Sequence, residues 1–123
     1  MDDGVRTQVV QFLQAFKKAA VSRPGIQYWS RPERIATLRE LEYTRADCDD
    51  IILSLSVDNY SSGPEPDRNG PGEVWIFGVR IEREIYIKLG LDPGSRTPVV
   101  LSFHWAVHPL QYPFREGDDR QSG

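Results

Sequence analysis

The chain has 123 residues, of which 39% are hydrophobic and 27% charged, and a formal net charge of −3 at pH 7. This size and composition predict one soluble domain with one modest core. The acidic balance argues against a general nucleic-acid binder, which is usually basic, but it leaves room for a local site that takes a short stretch of RNA. A single cysteine, Cys48, excludes an intrachain disulfide. Because no apolar run approaches the length of a membrane span or a secretory signal, we expect a cytoplasmic protein without a membrane partner.

Three helices are expected in the first half of the chain. Apolar residues recur at helical spacing over residues 5–20, and Pro32 suits the first turn of a second helix. Thr44, followed three positions later by Asp47, indicates an N-cap with a variant capping box for a third helix over roughly 45–55. The first turn of this helix contains an acidic cluster, Asp47, Asp49 and Asp50. The cluster indicates helix stabilisation and lacks the ligand spacing of a calcium site.

A long irregular loop is expected over residues 57–72, which contain three prolines and three glycines. Before it, residues 26–30 have the character of a short extended piece. A loop of this length inside a compact domain is usually functional or disordered.

Strands follow over residues 73–79, 84–91 and 97–104, separated by short turns. The succession of helices and then strands, without a parallel crossover pattern, predicts an α+β fold with N-terminal helices packed on a small antiparallel sheet. We expect residues 1–115 to form this single domain, with residues 105–115 as an aromatic arm across the sheet and 116–123 as a disordered acidic tail.

The alternation of side chains along two of these strands places a set of polar groups together. Over 84–91 the isoleucines and leucines fall on one face, which leaves Tyr86 and Lys88 on the other. Over 99–104 the stronger apolar set is Val99, Leu101 and Phe103, which leaves Ser102 and His104 opposite. If both apolar sets face one core, then Tyr86, Lys88, Ser102 and His104 share the other face of the sheet.

A hydroxyl, an ammonium and an imidazole on one surface can transfer protons and hold an anion, which is the chemistry that a phosphodiester requires. Imidazole titrates near neutral pH, so His104 suits proton transfer, with Lys88 as the charge that stabilises a phosphate and Tyr86 as an orienting hydroxyl. Each residue also has a purely structural interpretation: a histidine at a sheet edge, a solvated lysine and a half-buried strand tyrosine. The sequence leaves both interpretations open.

Several other residues are candidates for contacts with RNA. Arg80 and Arg115 could contact phosphates, and Arg68 lies in the Pro/Gly-rich loop that could close over a strand of RNA. Tyr60 could stack on a base if its ring is exposed. His108 follows His104 by four residues, but no third ligand accompanies them, so we expect neither a metal site nor a cofactor.

Four segments taken in order resemble a known family. They are residues 50–60 (DIILSLSVDNY), 72–78 (GEVWIFG), 84–89 (EIYIKL) and 100–104 (VLSFH). Their order and spacing resemble the MqsR-type toxins of bacterial type II toxin–antitoxin systems, within the wider RelE-like group, over roughly residues 35–115. The resemblance implies an endoribonuclease that cuts messenger RNA, an mRNA interferase, held inactive by a cognate antitoxin protein.

Carried over residue by residue, the resemblance places Tyr86 on the family's strand tyrosine and Lys88 after it, as in the family. His104 stands where the MqsR pattern has a lysine. Ser61 and Ile76 stand where it has a lysine and a glutamine. These departures keep open a second interpretation, a non-catalytic RelE-like module that binds protein or RNA. A small-ligand domain with the loop as a lid is a third, although the chain has no phosphate-binding glycine loop or cofactor motif.

Overall fold

In the computed structural model, which describes residues 3–68 and 72–115, helices come first and a mixed sheet follows. The elements are α1 (Asp3–Ala20), β1 (Gln27–Tyr28), α2 (Pro32–Leu41), α3 (Arg45–Leu53), a 3-10 turn (Val57–Asn59), β2 (Tyr60–Pro66), β3 (Glu73–Ile81), β4 (Arg83–Leu91) and β5 (Pro98–Trp105). The α+β class is therefore confirmed. The predicted acidic tail, 116–123, lies outside the described residues.

The helices begin where the local chemistry predicts. Pro32 occupies the first turn of α2, and the chain leaves that helix through Glu42 in the left-handed conformation, with φ of 58°. At the start of α3, the Thr44 hydroxyl accepts a hydrogen bond from the Asp47 backbone N–H at 3.3 Å, and the Asp47 carboxylate accepts one from the Thr44 N–H at 2.7 Å. The capping box with Asp in place of Glu is thus present.

The sheet has the order β1-β5-β4-β3-β2, and every neighbouring pair is antiparallel except β1 with β5. The parallel pair at the edge differs from the all-antiparallel expectation. Parallel neighbours need a long connection, and α2, α3 and three strands lie between β1 and β5 in the chain. The pairing is extended by one further hydrogen bond, from the Trp29 N–H to the Val100 carbonyl at 3.0 Å.

The expectation of an irregular loop over 57–72 is wrong for most of its length. Residues 60–66 form β2, which pairs with β3 at the edge of the sheet with two register shifts. Prolines are tolerated on an edge strand, where one side of the backbone has no ladder to complete. Gly63 is required here because its φ is +107° and a Cβ would lie 2.9 Å from the Val74 carbonyl oxygen.

A β-bulge in β5 changes which apolar residues face the core. Lys88 pairs with Ser102, but the next residue, Leu89, pairs with Val100, so Leu101 is the extra residue of the bulge. Val100 therefore joins Phe103 in the main core cluster, in place of Val99 and Leu101. The prediction that Val99, Leu101 and Phe103 share one face is wrong, because strict alternation fails across a bulge.

The main core lies between the helices and one face of the sheet, and aromatic rings form its centre. The Phe12 ring of α1 stacks on Trp75 at 5.2 Å between centroids and on Phe77 at 6.2 Å. Tyr60 meets the Phe77 ring edge-on at 6.2 Å. The opposite face of the sheet is left for the polar side chains of β4 and β5. Within the described part of the chain, no helix is long and apolar enough to span a bilayer.

This core gives a test of the fold. Phe77 is fully buried, so Phe77→Ala should lower the free energy of unfolding by about 3–5 kcal/mol through lost burial and an unfilled cavity. Val21 is 74% exposed, so the control Val21→Ala should stay within about 0.5 kcal/mol of wild type. Denaturant unfolding measures both, and equal effects of the two changes would contradict the packing described here.

Candidate active site

Two cross-strand pairs place the four polar side chains on the face of the sheet opposite the main core. Tyr86 of β4 is directly opposite His104 of β5, and Lys88 is opposite Ser102. Residues between them, such as Ile87 and Phe103, point into the core. The geometric expectation that Tyr86, Lys88 and His104 share a face is confirmed, and the bulge begins only beyond the Lys88–Ser102 pair.

Tyr86 and His104 form the centre of this polar surface. Their rings stack with centroids 5.2 Å apart and planes 17° from parallel. Burial, with a smaller contribution from the negative charge of Glu65, raises the pKa of the Tyr86 hydroxyl above its usual value of 10.0. The phenol is therefore protonated at neutral pH and available as a hydrogen-bond donor. The stack also limits rotation of the His104 ring.

The tautomer of His104 follows from its own hydrogen bond. Nδ1 lies 2.8 Å from the carbonyl oxygen of Trp105. A carbonyl only accepts hydrogen bonds, so Nδ1 carries a proton in this contact. In the neutral ring, Nε2 then has a free lone pair and can accept a proton. This is the tautomer that a general base requires.

The end of β5 is held by α2, which keeps His104 in place. The Trp105 N–H donates to the buried Thr37 hydroxyl at 3.2 Å, and the Trp105 indole N–H donates to the Glu40 carboxylate. The Arg83 guanidinium also lies over the indole ring, 4.1 Å from its centroid. The carbonyl that orients His104 therefore belongs to a residue with several fixed contacts.

The segment 106–115, which we call the arm, returns over the polar face and is fastened there by Glu84. The Glu84 carbonyl accepts a hydrogen bond from the Ala106 N–H at 2.9 Å. Its carboxylate accepts one from the Leu110 N–H at 3.0 Å and one from the Tyr112 hydroxyl at 2.8 Å. Burial, followed by the bond to the Glu84 carboxylate, raises the pKa of Tyr112 to about 12. The predicted aromatic arm across the sheet is thus present.

The arm and the sheet enclose a cleft of about 360 Å³. Tyr86, Lys88, Ser102 and His104 line it from the sheet, and residues 107–110, including His108, line it from the arm. A second groove of about 490 Å³ lies beside it and shares Leu110. Its lining includes Arg80, Arg115 and Tyr112. The Arg115 guanidinium lies 3.8 Å from the centroid of the Tyr112 ring.

The structure places the four residues that were expected to contact RNA in different surroundings. Arg80 and Arg115 come together in the second groove, next to the cleft. Arg68 follows β2 at the other end of the sheet, where Pro66 pairs with Glu73, and does not line the cleft. Tyr60 is 5% exposed, with its hydroxyl donating to the Gly63 carbonyl at 2.5 Å. Its ring stacks on Phe114 at the end of the arm, so base stacking by Tyr60 is a wrong expectation.

Sequence reasoning missed three contributors to the site. Glu84 lies on the polar face of β4, which the alternation does indicate, but its partners on the arm are about 26 residues away and leave no periodic signal. His108 and Tyr112 belong to an irregular segment whose path cannot be deduced from spacing.

The position of Ile76 is also informative: it pairs with Lys88 and is 3% exposed, so an apolar residue lies beside the lysine.

Within residues 3–68 and 72–115, no three His, Cys, Asp or Glu side chains converge in a way that could hold a metal ion. Neither protein-family models, nor curated proteins, nor solved structures match this chain.

The closure of the cleft by the arm can be tested at Gly78. A Cβ at this position would lie 2.5 Å from Leu110 Cδ1 and closer still to the Tyr112 hydroxyl. Gly78→Ala should therefore displace the arm and speed chymotryptic cleavage after Leu110 and Phe114, as read by mass spectrometry. Gly94→Ala is the matched control, because its Cβ would meet only Asp92 Oδ2 at an ordinary 3.5 Å. Equal cleavage rates in the two variants would show that the arm does not rest on Gly78.

Proposed function

We propose that this protein is a metal-independent endoribonuclease that cuts messenger RNA, the toxin of a type II toxin–antitoxin system. The observation that carries the proposal is the stacked Tyr86–His104 pair beside Lys88 in an open cleft. These three residues supply a proton acceptor, a cation and a neutral hydrogen-bond donor within one cleft. RNA brings its own nucleophile, the 2′-hydroxyl, so these groups supply the base, the charge stabilisation and the orientation for strand cleavage.

The reaction is a transphosphorylation. His104 Nε2 takes the proton of the 2′-hydroxyl as its oxygen forms a bond to the adjacent phosphorus, and the bond from phosphorus to the 5′-oxygen breaks. A proton donor other than His104 protonates the leaving 5′-oxygen, so the products are a 2′,3′-cyclic phosphate and a 5′-hydroxyl. Lys88 stabilises the negative charge that accumulates on the phosphoryl oxygens. The Tyr86 hydroxyl, whose pKa burial raises further above neutral pH, orients the phosphate by donating a hydrogen bond.

In this proposal, the second groove binds the part of the RNA strand that continues beyond the reactive phosphate. Arg80 and Arg115 place two guanidinium groups there, and the groove adjoins the catalytic cleft at Leu110. Contacts to phosphate position a strand without reading its sequence. The chain as a whole is acidic, so binding is local to these grooves and should weaken as salt is raised.

The toxin assignment derives from the resemblance to the MqsR-type family. It includes a cognate antitoxin as protein partner, messenger RNA as substrate, on or off the ribosome, and a cytoplasmic site of action. Induced expression of the intact chain should arrest growth, and a neighbouring gene should encode the antitoxin. A protein that binds RNA or a partner without cutting should not arrest growth through RNA degradation.

A non-catalytic RelE-like binding module is the competing function, and two departures from the family pattern favour it. The buried Ile76 lies beside Lys88 where the family pattern has a glutamine, so the sheet face offers one polar group fewer. Ser61 likewise stands where the pattern has a lysine. Both changes remove groups that could hold a phosphate. A cleavage assay separates the two functions directly.

Single substitutions test the mechanism. His104→Ala should slow cleavage of a labelled RNA by about 100-fold or more, the usual contribution of a positioned proton-transfer group. Lys88→Ala should also be slow, through lost stabilisation of charge, and Tyr86→Phe should cost less than either. Lys18→Ala, an exposed lysine on α1, is the matched control and should cleave at the wild-type rate.

End-labelling should identify 2′,3′-cyclic phosphate and 5′-hydroxyl ends, and added chelator should leave the rate unchanged because side chains carry the protons and the charge. Loss of cleavage with chelator, or full activity of His104→Ala, would contradict this mechanism. Failure of the intact chain to cut any RNA, with or without ribosomes, would favour the binding module.

A further inference from the structure

The cleft contains a second imidazole that the mechanism above does not use. The chain has two histidines, His104 and His108, and both line this cleft. His104 belongs to the sheet, and His108 belongs to the arm. The two imidazoles therefore approach the cleft from different structural elements. Two proton-transfer groups on separate elements fit a reaction in which one oxygen loses a proton and another gains one.

Glu84 fixes the position of His108 by hydrogen bonds to residues that precede and follow it in the chain. Two residues before His108, the Ala106 N–H donates to the Glu84 carbonyl, and two residues after it, the Leu110 N–H donates to the Glu84 carboxylate. Pro109 further restricts the backbone of His108. Glu84 lies two residues before Tyr86 on the same strand and the same face. The loop that carries His108 is thus fastened to the strand that carries the candidate site.

The Tyr86 hydroxyl, which lines the cleft together with that of Ser102, is a poor candidate for the proton donor. Burial raises the pKa of Tyr86, so its phenol releases a proton less readily than an ordinary tyrosine. His104 is oriented as an acceptor by the bond between its Nδ1 and the Trp105 carbonyl. His108 lines the same cleft from the arm, and an imidazolium there can donate a proton through a ring N–H.

We infer that His108 is the general acid of the cleft: it donates a proton to the leaving 5′-oxygen while His104 accepts the proton of the 2′-hydroxyl. The inference rests on the nuclease function proposed above. The 2′-oxygen forms its bond to phosphorus, the bond to the 5′-oxygen breaks, and each imidazole handles one proton. After the step, His104 is protonated and His108 is neutral, and exchange with solvent restores both. Glu84 is a positioning residue, because it acts only through the loop it holds.

A substrate with sulfur in place of the leaving 5′-oxygen tests this assignment. A thiolate leaves without being protonated, so such an RNA no longer needs a general acid. His108→Ala should cut ordinary RNA about 100-fold or more slowly than wild type, yet cut the sulfur substrate at close to the wild-type rate. That recovery would also show that the variant is folded. His104→Ala should be slow on both substrates, since the 2′-hydroxyl still needs a base.

Glu84→Gln retains the size of the side chain but leaves only one acceptor for the Leu110 N–H and the Tyr112 hydroxyl. It should lose activity on ordinary RNA and recover part of it on the sulfur substrate, a change that a general loss of stability would not produce. The assignment of His108 is overturned if His108→Ala cuts ordinary RNA at the wild-type rate or is equally slow on both substrates. It is also overturned if sulfur rescues His104→Ala and not His108→Ala. In each of these cases the proposed nuclease function still stands. Failure of the intact chain to cut either substrate overturns both.

Discussion

The candidate site depends on the three hydrogen bonds that Glu84 accepts. Through its carbonyl and both carboxylate oxygens, this residue fastens Ala106, Leu110 and Tyr112 to the start of β4. Without them, the polar face of the sheet would be an open surface, and neither the cleft beside His104 nor the groove beside Arg80 would have a second wall. A hydrogen bond to a charged group stabilises by about 1.5–3 kcal/mol, so the two bonds to the Glu84 carboxylate can hold an irregular segment in place.

The β-bulge in β5 reconciles two demands on a short strand. Toward the end of β5, alternation must present His104 and Ser102 to the cleft and Phe103 to the core. At its beginning, Val100 must also reach the main core. The two sets are out of phase by one residue, and the extra residue at Leu101 absorbs the difference. One strand thereby presents polar side chains to the cleft and apolar side chains to the core.

The sequence predicted the features that local periodicity and capping encode. These are the α1 stripe, the Thr44–Asp47 capping box, the three central strands and the shared face of Tyr86, Lys88 and His104. It could not predict what long-range pairing decides. A Pro-rich segment has the local signature of a loop, and only an edge position in the sheet allows it to form a strand such as β2. The expectation that Val99 faces the core failed because a bulge leaves no local signal in the sequence. The burial of Tyr60 depends on Phe114, more than 50 residues away along the chain.

We propose above all that the cleft between the arm and the sheet binds RNA around its reactive phosphate. The most direct measurement is an NMR titration of the imidazole signals with a single-stranded RNA whose 2′-hydroxyls are methylated, so that it binds without being cut. The chain has only two histidines, and both line the cleft. The account predicts that the signals of His104 and His108 shift together and saturate at one RNA concentration. Binding that leaves both signals unmoved would contradict it.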